Sequence, residues 1–224
     1  MKLKKIASLM LAGIMAVSML TACGEGNPAP ENPGEGENNN TASGYSAMLG
    51  KKAADTLNKA DNADLFTFAD NADDQKALNK VVVSLNQATI LDFVKNYTTD
   101  NFGKSTGAVR AGVQSDFEEE AGLTREIGAQ GWFMDDTINT RKIGDVWVAN
   151  GNISMDNVMS TIFDSYKTYF ENEDGKGTMT GSVELSYAYD VAVSVVNVPL
   201  SAYNEYTGSV NFIAVTVTRT ADYV

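Results

Sequence analysis

The clearest periodic stretch of the chain is residues 154–172, SMDNVMSTIFDSYKTYFEN. Its apolar residues recur at intervals of three and four, which places them on one face of an α-helix. The stripe consists of Met155, Val158, Met159, Ile162, Phe163, Tyr166 and Phe170. Ser154 or Asp156 stands where an N-cap is expected, and the turn residues EDGKG follow. The pattern therefore predicts a helix over 154–172.

The C-terminal quarter alternates with a period of two. From Val183 to Val195 the odd-numbered residues are aliphatic or aromatic, and the even-numbered residues between them are polar or small. This pattern is typical of an antiparallel strand with one face toward the core and one toward water. The alternation slips at 196–198, and Pro199 is expected to end the pairing. Residues 209–220 are long enough to pair back along this strand.

Weaker patterns predict further helices and strands, and all the elements together indicate the α+β class. Helices are expected over 46–61 with Ser46 as its cap, and over 72–98 with Asn71 or Asp70 as its cap and a break offered by NQAT. A short helix is expected over 116–121, ending at Gly122. Strands are expected over 64–70, 131–136 and 145–151. The architecture predicted is a set of N-terminal helices followed by a β-β-α-β-β unit. Its four-stranded antiparallel sheet would be packed on one face by helix 154–172.

The N-terminus has the features of an export signal. Lys2, Lys4 and Lys5 precede an apolar run of 15 residues, IASLMLAGIMAVSML, which is short for a transmembrane helix. The run leads into Leu20-Thr21-Ala22-Cys23. This stretch resembles the lipobox of bacterial lipoproteins, with Leu20 at its apolar position and Cys23 at its modified position. The resemblance implies acylation of the Cys23 sulfur, cleavage before Cys23, and anchoring at the extracytoplasmic face of the cell membrane.

The resemblance divides the chain into three segments. Residues 1–22 would be the signal peptide, which is removed, and residues 23–43 the lipidated cysteine with a linker. Residues 24–43, GEGNPAPENPGEGENNNTAS, contain no large apolar residue, so we expect a disordered tether. Residues 44–224 would form a single α+β domain. The membrane is thus one partner, through the lipid anchor.

Composition excludes several kinds of chemistry. The chain has no histidine and a single cysteine, which excludes Ser-His-Asp and Cys-His catalysis, a disulfide within the chain, and the usual zinc sites. The net charge is −12, and without the three leader lysines it falls to about −15, which disfavours nucleic acid as a partner. Neither of the standard glycine-rich nucleotide-binding motifs occurs, so we expect no cofactor.

Carboxylates are the remaining candidates for catalysis. The acidic groups are Asp135 and Asp136, the run Glu118-Glu119-Glu120, and the set Glu171, Glu173 and Asp174. Each group is interpreted first as a structural or solvated set, because neighbouring residues on a strand point to opposite faces and acids favour helix N-termini. Residues 70–81 lack the glycine and final glutamate of an EF-hand, so no metal site is predicted.

Aromatic residues are the candidates for ligand binding. Trp132 and Trp147 lie on predicted strands, and Tyr203 and Tyr206 lie in the polar loop SAYNEYTG. Exposed tyrosine and tryptophan suit sugar or peptide ligands, although the tryptophans also suit a core. The leading hypothesis is a non-catalytic binding or display domain for an envelope polymer, peptide or protein. A divergent carboxylate-dependent envelope hydrolase and a structural spacer domain are the alternatives.

Overall fold

The computed structural model describes residues 44–97, 103–104, 108–127, 133, 136–179, 182–200 and 208–224. The predicted signal peptide and linker, residues 1–22 and 23–43, lie outside these ranges. Most of the predicted strand 131–136 also lies outside them. Its described residues, Phe133 and Asp136, are not part of a strand.

The described part of the chain contains five α-helices. They are α1 Gly44–Ala60, α2 Ala72–Ser84, α3 Gln87–Tyr97, α4 Ala108–Ala121 and α5 Met155–Asn172, with a short 3₁₀ turn at Ala63–Leu65. Helix α5 confirms the strongest periodic prediction. The predicted helix 72–98 is two helices, because the backbone of Leu85 is extended. Helix α4 begins at residue 108 rather than 116.

Local hydrogen bonds fix several helix ends. The Asn71 side-chain oxygen accepts hydrogen bonds from the N–H groups of Asp73 and Asp74, at 3.0 and 3.1 Å. Ser154 caps α5 in the same manner. Gly122 takes a φ of 66° directly after α4, the left-handed conformation that ends many helices. These helix ends were predicted from the sequence. Ser46, however, lies inside α1 and is not its cap.

A six-stranded sheet forms the centre of the fold. Its strands are β1 Phe66–Phe68, β2 Gly103–Lys104, β3 Arg141–Asn150, β4 Lys176–Met179, β5 Val183–Pro199 and β6 Ser209–Tyr223. The order is β1-β5-β6-β3-β2, with β4 also beside β5. All pairs are antiparallel except β1 with β5. The α+β class is therefore confirmed, but the sheet is mixed and larger than predicted, because β1, β2 and β4 are too short to show a period.

Strand β5 does not change phase at residues 196–198. It stays paired with β6 through Val196↔Phe212, Val198↔Val210 and Pro199↔Ser209. From residue 191 to 198 every β5 side chain is buried. The run of apolar residues that suggested a slip therefore marks a strand that is covered on both faces.

One sheet face packs against α1 and α5. It carries the odd-numbered residues of β3, β5 and β6, including Trp147, Val193 and Ile213, which join Leu49 of α1 and Ile162 of α5 in one core cluster. Helix α5 thus covers the odd-numbered face of β5, as the alternation predicted.

The opposite face is covered by helices as well. Helices α2, α3 and α4 pack over the even-numbered residues of β3, β5 and β6. Phe93 of α3 meets Phe212 of β6 edge to face, with ring centroids 5.3 Å apart. The sheet therefore lies between two helix layers rather than having the one covered face predicted. Ser194, expected to face water, is 2% exposed as a result.

Helix side chains close the outer edge of β5 beyond the end of β1. The Val193 N–H donates to Ser46 Oγ at 3.0 Å. The Val195 N–H donates to Gln75 Oε1, and Gln75 Nε2 donates back to the Val195 carbonyl, both at 3.1 Å. The Gln75 carboxamide thus replaces the peptide group of a missing neighbouring strand.

A second glutamine does the same on the outer edge of β3. The Val146 N–H donates to Gln114 Oε1 at 2.7 Å, and Gln114 Nε2 donates to the Gly144 carbonyl at 3.0 Å. The Gly144 N–H donates to the Arg125 carbonyl at 3.1 Å. These bonds occupy the groups that an added strand would use, so both edges are blocked there against strand addition.

Candidate functional site

Four of the five residues singled out in the sequence are not among the described residues. Cys23, Trp132, Tyr203 and Tyr206 lie outside the described residues. The fifth, Trp147, is in the core and 4% exposed. Its Nε1–H donates to Tyr166 Oη at 2.8 Å, and the two rings meet nearly perpendicularly. Trp147 therefore acts as a core residue and has no surface to offer a ligand.

The hydroxyl of Tyr166 connects this tryptophan to a buried carboxylate. Tyr166 Oη donates to Asp145 Oδ2 at 2.6 Å, and the Ile127 N–H donates to Asp145 Oδ1 at 3.1 Å. Asp145 is 2% exposed. Burial, reinforced by the nearby Asp145, raises the pKa of Tyr166 well above 10.0. The three side chains form a fixed polar chain between β3 and α5.

The three acidic groups named from the sequence occupy different parts of the structure. Asp135 lies outside the described residues. On α4, Glu118 accepts a hydrogen bond from Gln114 and Glu120 pairs with Lys80, so this run supports helix packing. Asp136 and Glu173, from two separate groups, both lie close enough to Arg219 of β6 to feel its charge. The structure therefore brings together two carboxylates that are far apart in the sequence.

We call this set the arginine cluster. It consists of Phe133, Asp136, Glu173, Tyr187, Tyr189 and Arg219. The Arg219 guanidinium lies over two rings, 4.6 Å from the Phe133 centroid and 4.3 Å from the Tyr187 centroid. Arg219 is 2% exposed, although its guanidinium carries a charge. Stacking on two rings and the nearby carboxylates compensate for its burial.

Asp136 binds two strands at once. Its Oδ1 accepts from the Tyr187 hydroxyl at 2.9 Å, and its Oδ2 accepts from the Thr178 N–H at 3.0 Å. These two hydrogen bonds, with a smaller contribution from Arg219, lower the pKa of Asp136 below 3.8. Burial and the same carboxylate raise the pKa of Tyr187 above 10.0.

The pKa of Glu173 is shifted in the opposite direction to that of Asp136. Burial raises its pKa above 4.5, although the Tyr189 hydroxyl and the Gly175 N–H both donate to the carboxylate. The burial and the adjacent Glu173 raise the pKa of Tyr189 strongly. The cluster therefore holds one carboxylate that is more acidic than usual and one that is less acidic.

A glycine allows β4 to approach the cluster closely. A Cβ placed on Gly177 would lie 2.1 Å from the Tyr187 hydroxyl oxygen and 2.6 Å from Asp136 Oδ1. Any larger residue would therefore break the hydrogen bond between Tyr187 and Asp136. The GKG sequence was read as turn chemistry, but its second glycine has this packing role.

Sequence reasoning missed the arginine cluster itself. Tyr187 and Tyr189 are two residues apart on β5, and Tyr189 pairs directly with Arg219, so the alternation places all three on one face. The available signal was Arg219, which occupies an apolar position in the alternation of residues 209–220. A lone arginine in such a stripe indicates a buried counter-charge.

An ion pair with a buried carboxylate links α2 to the sheet. Lys142 of β3 pairs with Asp74 of α2, whose second oxygen accepts from Thr216 Oγ1 at 2.6 Å. Asp74 is 1% exposed. Within the described ranges, no three His, Cys, Asp or Glu side chains are placed to hold a metal ion.

At one end of the sheet, none of the described helices covers the even-numbered face. We call this surface the bare patch. It consists of Thr67, Lys176, Thr178, Glu184, Ser186, Ala188, Asp190, Thr218, Thr220 and Asp222. All are exposed except Thr218, which is half-buried. The arginine cluster lies directly behind it, because Tyr187, Tyr189 and Arg219 alternate with patch residues along β5 and β6.

Comparisons with known proteins add no relative. Searches against protein-family models, curated proteins and solved structures find no match to this chain. None of the described helices is both long and apolar enough to cross a membrane.

Proposed function

We propose that this protein is a lipoprotein held on the extracytoplasmic face of the cell membrane by acyl chains on Cys23. The proposal is supported by the Leu20-Thr21-Ala22-Cys23 sequence after a basic and apolar leader. Twenty residues with the composition of 24–43 would span roughly 25 Å as a flexible coil, which would keep the domain near the membrane surface. At that position the domain binds a partner and carries out no chemistry.

The bare patch is the observation that carries the binding role. Elsewhere, helices cover both faces of the central strands, and side chains from α1, α2 and α4 close stretches of the two edges. The patch leaves parts of four strands, β1, β4, β5 and β6, open to solvent on a surface of mostly short side chains. The hydrogen bonds of Asp136 and the stacking of Arg219 fix these strands from behind. A rigid open surface needs little ordering when a partner binds.

The anchor is tested by replacing the acylated sulfur. Cys23→Ser should move the protein from the membrane fraction to the medium or soluble fraction, since the hydroxyl would not be acylated. Mass spectrometry of the wild-type protein should find an N-terminal acylated Cys23. A Cys23→Ser protein that stays membrane-bound would contradict the proposal.

The binding role is tested with one substitution in the middle of the bare patch. Ala188→Arg places a long cationic side chain on an exposed strand position, where it should block the surface without disturbing the core. Ala54→Arg, on an exposed position of α1, is the matched control. Envelope components retained by the wild type and by Ala54→Arg should be lost with Ala188→Arg. Equal retention by all three proteins would refute binding at the patch, and retention of nothing by any of them would favour the spacer alternative.

A carboxylate-dependent envelope hydrolase is the second candidate. It is favoured by Asp136 and Glu173, whose pKa values are shifted in opposite directions beside one arginine. A raised and a lowered carboxylate pKa are what a general acid and its ionised partner require. The test is release of soluble fragments from purified envelope polysaccharide by the wild type, by Glu173→Gln and by Asp136→Asn. Fragment release that both substitutions abolish would establish this function in place of the first.

A further inference from the structure

The side chains of the bare patch carry an excess of negative charge. Glu184 and Asp190 on β5 and Asp222 on β6 contribute three carboxylates, against the single ammonium of Lys176 on β4. Lys142 borders the patch beside Thr218, but its charge is already paired with the buried Asp74. A partner that lies on the patch must therefore offer positive charge, or it leaves these carboxylates desolvated and unpaired.

Hydroxyl groups fill the space between the charges. Five of the ten patch residues carry one: Thr67, Thr178, Ser186, Thr218 and Thr220. Hydroxyls accept hydrogen bonds from ammonium and guanidinium groups, and so do carboxylates. None of the ten patch residues is aromatic, which removes the stacking that sugar recognition normally uses.

The size of the patch limits what can bind there. Even-numbered positions from 184 to 190 cover about 20 Å of β5, and three strands are roughly 15 Å wide with their side chains, giving about 300 Å². A stable protein–protein interface needs about 800 Å² on each partner. The area suits a short segment that binds weakly and exchanges readily.

We infer that the bare patch binds a Lys/Arg-rich segment of a partner protein, an inference that rests on the proposed binding function. Charge complementarity selects this partner over a second copy of the chain, whose own patch and net charge would be repelled. The segment lies flat on the side chains rather than adding a strand, because the carboxylates stand on the sheet face and the β5 edge beside the patch is already paired with β1 and β4.

The test uses the full chain, purified in detergent, and a fluorescein-labelled octalysine peptide followed by fluorescence anisotropy. The patch variant combines Glu184→Gln, Asp190→Asn and Asp222→Asn. The matched control combines three exposed helix carboxylates, Asp116→Asn, Glu119→Gln and Asp164→Asn, and changes the net charge equally. Each exposed ion pair contributes a modest share of the affinity, so loss of three should weaken binding about tenfold in the patch variant, and the control should weaken it less than twofold. The affinity should fall as salt is raised.

Three results would overturn the inference: no octalysine binding at low salt, equal weakening by the two variants, or soluble envelope polysaccharide competing for the patch as well as octalysine does. The first two leave the binding function open to its own test, because Ala188→Arg and Ala54→Arg measure patch occupancy whatever the partner is. Loss of envelope partners with Ala188→Arg, combined with octalysine binding that ignores the patch, would retain the function and reject the cationic partner. Retention unaffected by Ala188→Arg would reject both.

Discussion

Gln114 offers a direct test of how the sheet edge at β3 is held. Its side chain is 4% exposed and bonds two backbone groups of β3, the Val146 N–H and the Gly144 carbonyl. Methionine has nearly the same volume and can occupy the same space, but it has no group able to replace these hydrogen bonds. Gln114→Met therefore removes the hydrogen bonds while leaving the packing of α4 largely intact.

The expected loss follows from the two groups that are left unsatisfied. A buried backbone donor or acceptor without a partner costs about 1–3 kcal/mol, so two cost about 2–6 kcal/mol. We expect a decrease of about 3 kcal/mol in the free energy of unfolding, a large part of the roughly 5–15 kcal/mol typical of a domain. With a urea m-value of about 2 kcal/mol/M, the unfolding midpoint should fall by about 1.5 M.

Urea unfolding followed by circular dichroism measures this shift, with Gln87→Met as the control. Gln87 is exposed at the start of α3, so its replacement should change the midpoint by less than about 0.25 M. Hydrogen exchange adds a local readout, since the Val146 amide should lose protection in Gln114→Met. A midpoint equal to that of Gln87→Met, with Val146 still protected, would refute the reasoning that this carboxamide closes the edge.

Three further substitutions test buried polar groups. Asp74→Ala leaves the Lys142 ammonium unpaired and should lower the free energy of unfolding by about 3–5 kcal/mol, a loss that a second change of Lys142 to Met should largely reverse in urea titrations. Tyr166→Phe removes the hydroxyl that serves Asp145, so the melting temperature should fall, and an unchanged value would contradict the role given to that hydroxyl. Glu173→Gln removes a carboxylate whose pKa is raised by burial, so ionisation of the wild type is a penalty that grows as pH rises past 4.5. The variant should gain stability relative to the wild type between pH 4 and pH 7, and a difference independent of pH would contradict this.

The elements predicted most accurately are those with long, regular patterns. Helix α5 and strand β5 show their buried faces in the sequence, because burial on one side imposes a period of 3.6 or 2 over many residues. The N-caps Asn71 and Ser154 could also be predicted, because an N-cap accepts hydrogen bonds from residues close to it in the sequence.

The features that the sequence did not predict depend on contacts between segments that are distant along the chain. Helices α2, α3 and α4 cover the even-numbered sheet face away from the bare patch, which buries Ser194 where the alternation predicted exposure to water. Strands β1, β2 and β4 are two to four residues long and owe their conformation to the strands beside them. The arginine cluster joins residues from 133 to 219, and local spacing cannot show such a convergence.

The placement of the arginine cluster behind the bare patch gives its carboxylates a structural explanation. Asp136 holds the β4 backbone at Thr178 and the β5 side chain of Tyr187, and Arg219 of β6 stacks on the same tyrosine. Three of the four strands of the patch, β4, β5 and β6, are thus joined on their buried side. Twisted strands that are solvated on one face have few contacts that hold their spacing. A partner that recognises this spacing binds best when the strands are already held in place. The buried arginine, which would be costly alone, is retained where it stiffens a surface, and this favours binding over hydrolysis as the role of this end of the sheet.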